Sequence, residues 1–238
     1  KCSRLPTGKK GLGKLALFGL AKTITITTVQ SGFKNEFVLD WDDLMAAKGT
    51  YRPKVNDVKV KTENSDGTII TLTGLKRKTA FDINTVADNL SRLFIFEQNF
   101  NLVLVTPKGD RISVTNERRY DQLNKEFEWN IESTLLVPSD SEYYGKMKGY
   151  LITAEKPITP SSGLRGITLF SRGKLVNAPE FFSSSTSSHF FQYLTGWISV
   201  DFIDLLEDDV ISTNRQSIDW EHPEMAKLRN FLSGIVSQ

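Results

Sequence analysis

Residues 23 to 27 alternate threonine with isoleucine, and this two-residue period is that of a half-buried β-strand. Strand patterns recur in three further runs, at residues 36–41, 57–61 and 68–73. Because a cluster of turn residues at 64–67 separates the last two runs, we predict that they form a hairpin. The apolar segment 14–21 predicts a short helix before the first strand. The first eighty residues are therefore expected to form one helix on a mostly antiparallel sheet.

The remaining residues mix helical spacing with further strand patterns. Helices are predicted at residues 84–96, 117–127 and 221–236. Strands are predicted at residues 102–105, 111–115, 150–154, 166–170, 174–176 and 196–203. Of these, 102–105 and 111–115 are expected to form one hairpin, and 166–170 and 174–176 another. The fold class that follows is α+β in two modules, residues 1–80 and 99–238, with a linking helix at 81–98.

Charge is nearly balanced over the whole chain, with 30 Lys and Arg against 28 Asp and Glu, but its distribution is uneven. Residues 1–34 hold seven basic residues and no acid, which favours an anion site in this part of the chain. The segment 201–209 holds five acids without the spacing of a calcium loop, so we interpret it as a solvated loop. The single cysteine, Cys2, forms no disulfide within the chain, and no run of residues is apolar enough to span a membrane. A cytoplasmic protein is the expectation.

A glycine-rich segment directly before the first helix is the sharpest motif. Three glycines at this spacing allow backbone N–H groups to turn toward an anion, and a helix N-terminus also favours negative charge. The segment fits the start of a P-loop, but Leu15 stands where that motif needs Ser or Thr for magnesium. A loop that only caps the helix is the alternative. If the loop binds phosphate, the contacting residues are Gly8, Lys9, Lys10, Gly11, Leu12, Gly13 and Lys14.

The residues around this loop resemble the third motif of the gyrase, heat-shock-ninety, histidine-kinase and MutL superfamily, whose ATPase domain is the Bergerat fold. The matching stretch runs from Thr7 to Ala21 and continues into the Thr-Ile-Thr-Ile strand. A second match, residues 66–75, resembles the Gly-Thr strand that closes the ATPase domain in that superfamily. The resemblance implies that the glycine loop is part of a lid over the ATP phosphates and that Thr68 lies near the nucleotide.

The last third of the chain resembles the transducer domains of the same superfamily, which have a ribosomal-protein-like fold. Residues 166–176 are similar to a strand, Arg-Gly turn and strand, and residues 193–218 to a strand, acidic loop and Asn-x-Ser-Arg-Glu loop. In that family the arginine of this loop reaches the γ-phosphate of ATP, and Arg215 is the matching position. Here the spacing before the arginine differs slightly, and Gln216 replaces the acid. An Arg215 that simply pairs with the preceding acids is the alternative.

The resemblance implies ATP and Mg²⁺ as ligands and a clamp that closes on ATP, often as a homodimer. The family's magnesium-binding Asn, catalytic Glu and adenine-reading Asp all precede the glycine loop, and only seven residues precede Gly8. We therefore expect an ATPase in a longer parent protein and no hydrolysis by this chain alone.

Two other classes of function stay open. One is a binding module in which the glycine loop is structural and the basic first 35 residues hold nucleic acid or another protein. The other is a P-loop phosphotransferase, which Leu15 disfavours. The client or pathway that a clamp would serve is not specified by these motifs.

Overall fold

The computed structural model describes residues 12–97, 100–133, 135–183 and 189–237, with side chains from residue 15 onward. The chain divides into two compact units, Lys1–Ala80 and Phe81–Gln238, and each is described by itself. Both combine helices with mainly antiparallel strands, so the predicted α+β class is confirmed.

The first unit contains a four-stranded antiparallel sheet with the order β3-β2-β1-β4. The strands are β1 Ala21–Gln30, β2 Phe33–Asp40, β3 Lys54–Lys61 and β4 Gly67–Leu75. A 3₁₀ helix, Leu12–Gly19, precedes β1, and the short helix α1, Trp41–Ala46, follows β2. The Asp40 carboxylate caps α1 by accepting hydrogen bonds from the N–H groups of Asp42 and Asp43. Helix α1 was not predicted, although an Asp cap followed by two acids is a helix-start signal.

The predicted hairpin between residues 57–61 and 68–73 is wrong. Strand β3 pairs with β2 and β4 pairs with β1, so the two lie at opposite edges of the sheet. The hairpin that does form is β1–β2, where Ser31 and Gly32 both have positive φ, as a two-residue turn of this kind requires. The turn residues 64–67 reverse the chain, but β4 then returns to the free edge of β1. Residue 21, predicted as helical, is the first residue of β1.

The second unit contains a five-stranded sheet with the order β10-β9-β11-β8-β7, in which only the β9–β11 pair is parallel, and a separate hairpin, β5–β6. The strands are β5 Leu102–Val105, β6 Arg111–Val114, β7 Lys125–Asn130, β8 Lys148–Ala154, β9 Gly166–Ser171, β10 Lys174–Glu180 and β11 Leu194–Ser199. The helices are α2 Ile83–Leu93 and α3 Pro223–Val236, with 3₁₀ helices at Glu117–Tyr120, Pro160–Ser162, His189–Gln192 and Asp201–Leu205. Both predicted hairpins of this unit are confirmed.

Helix α3 supplies much of the main core of the second unit. Met225, Leu228, Leu232 and Ile235 are buried, which confirms the predicted inward face, and Pro223 occupies the tolerated first turn. His222 caps this helix, since its Nδ1 accepts a hydrogen bond from the N–H of Glu224. No helix within the described ranges is long and apolar enough to span a bilayer.

Two sequence predictions in this unit are wrong in extent. Helical structure in the segment 117–127 is limited to Glu117–Tyr120, and Phe127 lies in β7. The strand predicted at 196–203 ends at Ser199, after which Asp201–Leu205 forms a 3₁₀ helix that buries Ile203. In both places a tight 3₁₀ turn buries spaced apolar residues much as a strand or an α-helix would. The hydrophobic period alone therefore does not distinguish these three structures.

Helix α2 is anchored by a buried arginine. The guanidinium of Arg119 donates hydrogen bonds to the carbonyls of Ser91 (2.9 Å) and Phe94 (2.8 Å), and thereby satisfies the helix C-terminus. It also lies 4.5 Å from the ring centre of Phe170 on β9. Burial lowers the pKa of the Arg119 guanidinium below its ordinary value. The backbone N–H of Ile95 donates to the carbonyl of Gly173, so the segment after α2 is joined to the β9–β10 turn.

The polar face of the first unit's sheet carries two carboxylates with depressed pKa values. The Thr23 hydroxyl donates to Asp40 (2.8 Å), and this bond lowers the pKa of Asp40 below its usual 3.8. Asn56 and Thr27 donate to Glu36 (3.0 and 2.9 Å) and lower its pKa below 4.5. Both carboxylates are more acidic in the folded chain, so their stabilising contribution is present above about pH 4.5 and is lost as pH falls through the folded values.

We expect Thr27→Val to raise the pKa of Glu36 toward 4.5 and to reduce the loss of stability on acidification. NMR titration of the Glu36 carboxyl carbon measures the first effect, and melting temperatures at pH 5 and pH 3.5 measure the second. Thr25→Val is the matched control, because Thr25 faces Val38 across the β1–β2 pair rather than an acid. A Glu36 pKa unchanged by Thr27→Val contradicts the assignment.

Candidate functional site

The predicted phosphate loop lies mostly outside the described residues. Gly8, Lys9, Lys10 and Gly11 are not described, and their proposed role stays a prediction. Leu12, Gly13 and Lys14 form the start of the 3₁₀ helix Leu12–Gly19. Leu12 and Gly13 are therefore helical, whereas the sequence analysis places the start of the helix at residue 14, and the helix precedes β1.

One face of the first unit's sheet is apolar and only partly covered. Cross-strand register places Ile24 opposite both Leu39 and Leu72, and opposed residues share a face. At the end of the face that contains Ile24, Phe18 packs on the sheet, and both side chains are buried. Along the same face Ile70, opposite Ile26, is 47% exposed. The apolar face is thus closed at the end near the 3₁₀ helix and open at the other.

Thr68 lies at the open end of this face. It is paired with Thr28, two residues beyond the Ile26–Ile70 pair and on the same side, and it is exposed. Its hydroxyl is therefore available beside exposed apolar surface. Thr71, three residues further along β4, points to the opposite, polar face of the sheet, as the two-residue period requires.

In the second unit, the loop between Ile211 and Ile218 presents Arg215. An isolated β-bridge closes the loop, and Ser212 organises it: its carbonyl accepts from the N–H of Arg215 (2.9 Å) and its hydroxyl from that of Ser217 (3.1 Å). The side-chain Oδ1 of Asn214 accepts a hydrogen bond from the backbone N–H of Gln216 at 3.1 Å. Ser212 and Asn214 are motif residues whose short polar side chains replace missing backbone partners in the turn.

Arg215 itself is held in the left-handed region, with φ 56°. For a residue with a side chain this conformation costs about 1 kcal/mol or more, and it persists here because the loop bonds impose it. The side chain is a quarter exposed. Its Nη2 lies 3.9 Å from Oδ1 of Asp204, and its Nη1 is buried without a hydrogen-bond partner among the described residues. Arg215 therefore does contact the acidic segment, which was the alternative to a phosphate-sensing role.

A second arginine converges on the same carboxylate. Nε of Arg172, in the β9–β10 turn, lies 3.7 Å from Oδ2 of Asp204. Arg172 and Gly173 both have positive φ, at 49° and 72°, as in the β1–β2 turn. The N–H of Arg172 donates to Oδ1 of Asp201 at 2.7 Å, which fixes the turn against the start of the 3₁₀ helix Asp201–Leu205. The two motifs of the transducer resemblance, 166–176 and 193–218, thus meet at Asp204.

Asp204 is the residue of this cluster that sequence reasoning missed. The segment 201–209 was interpreted as a solvated loop, which is wrong for Asp204, since its side chain is only 3% exposed. Oδ2 of Asp204 accepts a hydrogen bond from the Ser171 hydroxyl at 2.7 Å. A signal was present, because Asp204 lies three residues after Asp201 and next to the apolar Ile203, the spacing of one helical turn with an inward face. Asp208, by contrast, is 81% exposed and lies 3.4 Å from His222.

The matches to known proteins include a sequence relative and, among solved structures, a structural neighbour. The chain is 27% identical over 251 residues to a putative type II restriction enzyme, HgiDII, from Herpetosiphon aurantiacus; the match covers 94% of this chain and 40% of the relative. The chain thus spans less than half the length of this relative. The structural neighbour is the 43K ATPase domain of Thermus thermophilus gyrase B in complex with an aminocoumarin, with a TM-score of 0.45 and 8% identity, over 96% of this chain and 70% of that one. No protein-family model matches the chain.

Proposed function

We propose that this chain is the phosphate-sensing part of an ATP-driven conformational clamp. The observation that supports it most is the presentation of Arg215: a loop built by its own motif residues holds the arginine in a strained backbone conformation, with one guanidinium nitrogen that is buried and has no hydrogen-bond partner in the described part of the chain. Strained residues persist where the surrounding structure imposes them, and they cluster at ligand sites and switches. An arginine is also suited to a phosphate, because its planar donors match two phosphate oxygens.

In this proposal the first unit contributes the nucleotide contacts. Backbone N–H groups of Gly8, Gly11 and Gly13 face the phosphates, Lys9, Lys10 and Lys14 add positive charge, and Leu12 leads into the helix. The Thr68 hydroxyl, at the open end of the apolar face, donates or accepts a hydrogen bond near the base. This placement is consistent with a nucleotide that covers exposed apolar surface while a hydroxyl fixes its orientation.

The clamp works only if ATP binds one conformation better than the other. In the proposal, contact between Arg215 and the terminal phosphate exists only in the closed conformation, so it shifts the equilibrium toward closure. Each 1.4 kcal/mol of such differential binding shifts the ratio of closed to open about tenfold. Closure in a homodimeric assembly is compatible with this scheme and is part of the proposal.

Magnesium is not assigned to residues of this chain. Within the described parts of the chain no group of three or more His, Cys, Asp or Glu side chains is arranged to hold a metal ion. The acids of the candidate site, Asp201 and Asp204, are instead engaged by Ser171 and by the backbone and side chain of Arg172. No step of the proposal is therefore routed through a Mg²⁺ ion on these residues.

The sequence relative gives the proposal a direction. Since that relative is described as a putative restriction enzyme, we propose that the protein that carries this chain acts on DNA and uses the clamp to control that action. The affinity of the protein for DNA then depends on whether the clamp is open or closed. ATP should therefore raise the affinity for DNA, and DNA should raise the affinity for ATP by the same factor.

A second candidate, a nucleic-acid binding module without ATP chemistry, is favoured by one observation. Residues 1–80 contain fifteen Lys and Arg against seven Asp and Glu, a net charge of +8, whereas residues 81–238 contain fifteen against twenty-one, a net charge of −6. On the β3 edge strand Lys54, Lys59 and Lys61 are exposed. Binding to DNA without ATP, with affinity that falls steeply as salt rises, is the result that supports this candidate.

Calorimetry with MgATP tests the main proposal, on this chain and on the native polypeptide in which it occurs. We expect the native polypeptide to bind ATP. Gly11→Val should abolish binding, because a side chain in the loop blocks the approach of the phosphates.

Thr68→Val should weaken ATP binding about tenfold, the equivalent of one lost hydrogen bond. Thr71→Val is the matched control, because this residue has the same chemistry on the same strand but faces the other side of the sheet. If the native polypeptide binds no ATP, the clamp proposal fails. If Thr68→Val and Thr71→Val behave alike, Thr68 is not a nucleotide contact.

A further inference from the structure

Within the acidic segment 201–209, which lies wholly in the described part of the chain, Asp204 has a different environment from its neighbours. Its side chain is 3% exposed, whereas that of Asp208 is 81% exposed. A buried carboxylate is costly unless it is paired and hydrogen-bonded, so its presence needs a structural or functional reason. The contacts of its two oxygens give one.

The two carboxylate oxygens of Asp204 have different neighbours. Oδ2 accepts from the hydroxyl of Ser171, a fully buried residue at the end of β9, at 2.7 Å. Oδ1 faces Nη2 of Arg215 at 3.9 Å. The Ser171 bond fixes the plane of the carboxylate, and the carboxylate in turn directs the guanidinium across a distance longer than a normal hydrogen bond.

We propose that Asp204 is a positioning residue for Arg215, with Ser171 holding Asp204 in place. This inference rests on the proposed function, in which Arg215 contacts the terminal phosphate. The 3.9 Å separation between Nη2 of Arg215 and Oδ1 of Asp204 allows the arginine to change partners. Charge attraction orients Arg215, but no short bond has to be broken when a phosphate takes the guanidinium as a stronger, bidentate partner.

The donors of Arg215 are only partly used. Nη2 is directed at Asp204, Nη1 has no hydrogen-bond partner among the described residues and the side chain is a quarter exposed, so the guanidinium keeps donors for an anion when it turns toward one. If Asp204 were absent, the loop Ile211–Ile218 would still hold the Arg215 backbone through Ser212 and Asn214, but the side chain would lose its fixed direction. Loss of direction at a reacting phosphate lowers the rate of the chemical step more than it lowers affinity.

The first arm of the test does not require ATP. In the wild-type chain we expect resolved Nη resonances for Arg215 in ¹⁵N NMR, assigned by their disappearance in Arg215→Lys, because rotation of the guanidinium is restricted. Asp204→Asn should cause these signals to average and be lost as separate lines. Asp208→Asn is the matched control and should leave them unchanged, since Asp208 is exposed and pairs with His222. Retained signals in Asp204→Asn overturn the inference.

The second arm uses single-turnover ATP hydrolysis by the native polypeptide. Asp204→Asn should lower the rate about 10- to 100-fold and leave the Kd of ATP within about twofold. In an Arg215→Met background the same substitution should have no further effect on the rate, because in this proposal Asp204 influences the phosphate only through Arg215, whereas its contact with Arg172 is structural. A further loss in the double variant shows a separate structural role and overturns the inference.

The two arms separate the failure of this inference from that of the proposed function. If the wild-type protein neither binds nor hydrolyses ATP, the clamp proposal fails and the NMR arm alone decides whether Asp204 orients Arg215. If Asp204→Asn does not fold, Ser171→Ala replaces it in both arms. This variant keeps the charge but removes the one short hydrogen bond described for the Asp204 carboxylate, so broadened Arg215 signals and a rate lowered several-fold are expected, and unchanged values for both overturn the inference.

Discussion

Arg215→Met is expected to lower ATP turnover by the native polypeptide about 100-fold while the protein remains folded. Removal of one preorganised donor to a developing negative charge typically lowers turnover by 10²–10³-fold. The folded state should tolerate the change, because the backbone of the loop is held by Ser212 and Asn214 and not by the Arg215 side chain. Single-turnover kinetics at saturating MgATP measure the effect.

The control for Arg215→Met is Arg111→Met, which removes the same charge from an exposed position on β6. We expect this variant to turn over ATP at the wild-type rate. Arg215→Lys should recover little activity, because an ammonium group cannot make the bidentate contact of a guanidinium. If Arg215→Met is folded and fully active, then Arg215 serves only as a partner of Asp204, and the phosphate-sensing role is lost.

Gly149→Ala is expected to lower the unfolding free energy of the second unit by about 4 kcal/mol. Gly149 lies on β8 with φ 142°, where an added Cβ would be 2.0 Å from the carbonyl oxygen of Trp197 on β11. The backbone of two central strands approaches too closely there for any side chain. Gly196 on β11, which is paired with Leu151, has a similar restriction, since its added Cβ would be 2.4 Å from the carbonyl oxygen of Tyr150.

Gly163→Ala is the comparison that separates steric overlap from backbone strain. Gly163 also has positive φ, at 68°, but no atom lies within 4 Å of an added Cβ. It should cost only about 1 kcal/mol, the penalty for a left-handed alanine. Urea unfolding followed by tryptophan fluorescence measures both variants, and equal stability losses would show that the close approach of β8 and β11 is not the cause.

The accuracy of the sequence predictions followed how local each interaction is. Helix α3 was predicted correctly because a first-turn proline and four apolar residues at helical spacing act within the helix itself. The β9–β10 hairpin was predicted because its strands are separated only by Arg172 and Gly173. The false hairpin between β3 and β4 came from the same logic applied where a distant strand, β1, competes for pairing.

The candidate site shows the same limit more sharply. The sequence marked Arg215 and Thr68 through motif resemblance, and in the structure Thr68 lies at the open end of the apolar face and Arg215 beside Asp204. It did not mark Ser171, Arg172 or Asp204 as one cluster. Ser171 ends β9 and Arg172 follows it in the turn, whereas Asp204 lies 33 residues after Ser171, in the 3₁₀ helix that follows β11. The pairing of β9 with β10 and β11 brings the three residues together.

What the sequence determined by itself was the α+β class, the local hairpins and the amphipathic helices, because periodicity and turn chemistry act over a few residues. The tertiary structure decided the order of the strands, the open end of the apolar face beside Thr68, and the burial of Asp204 between two arginines. These features depend on which distant segments pair and on how much surface each pairing buries, and those energies belong to the assembled fold and to no single stretch of the chain.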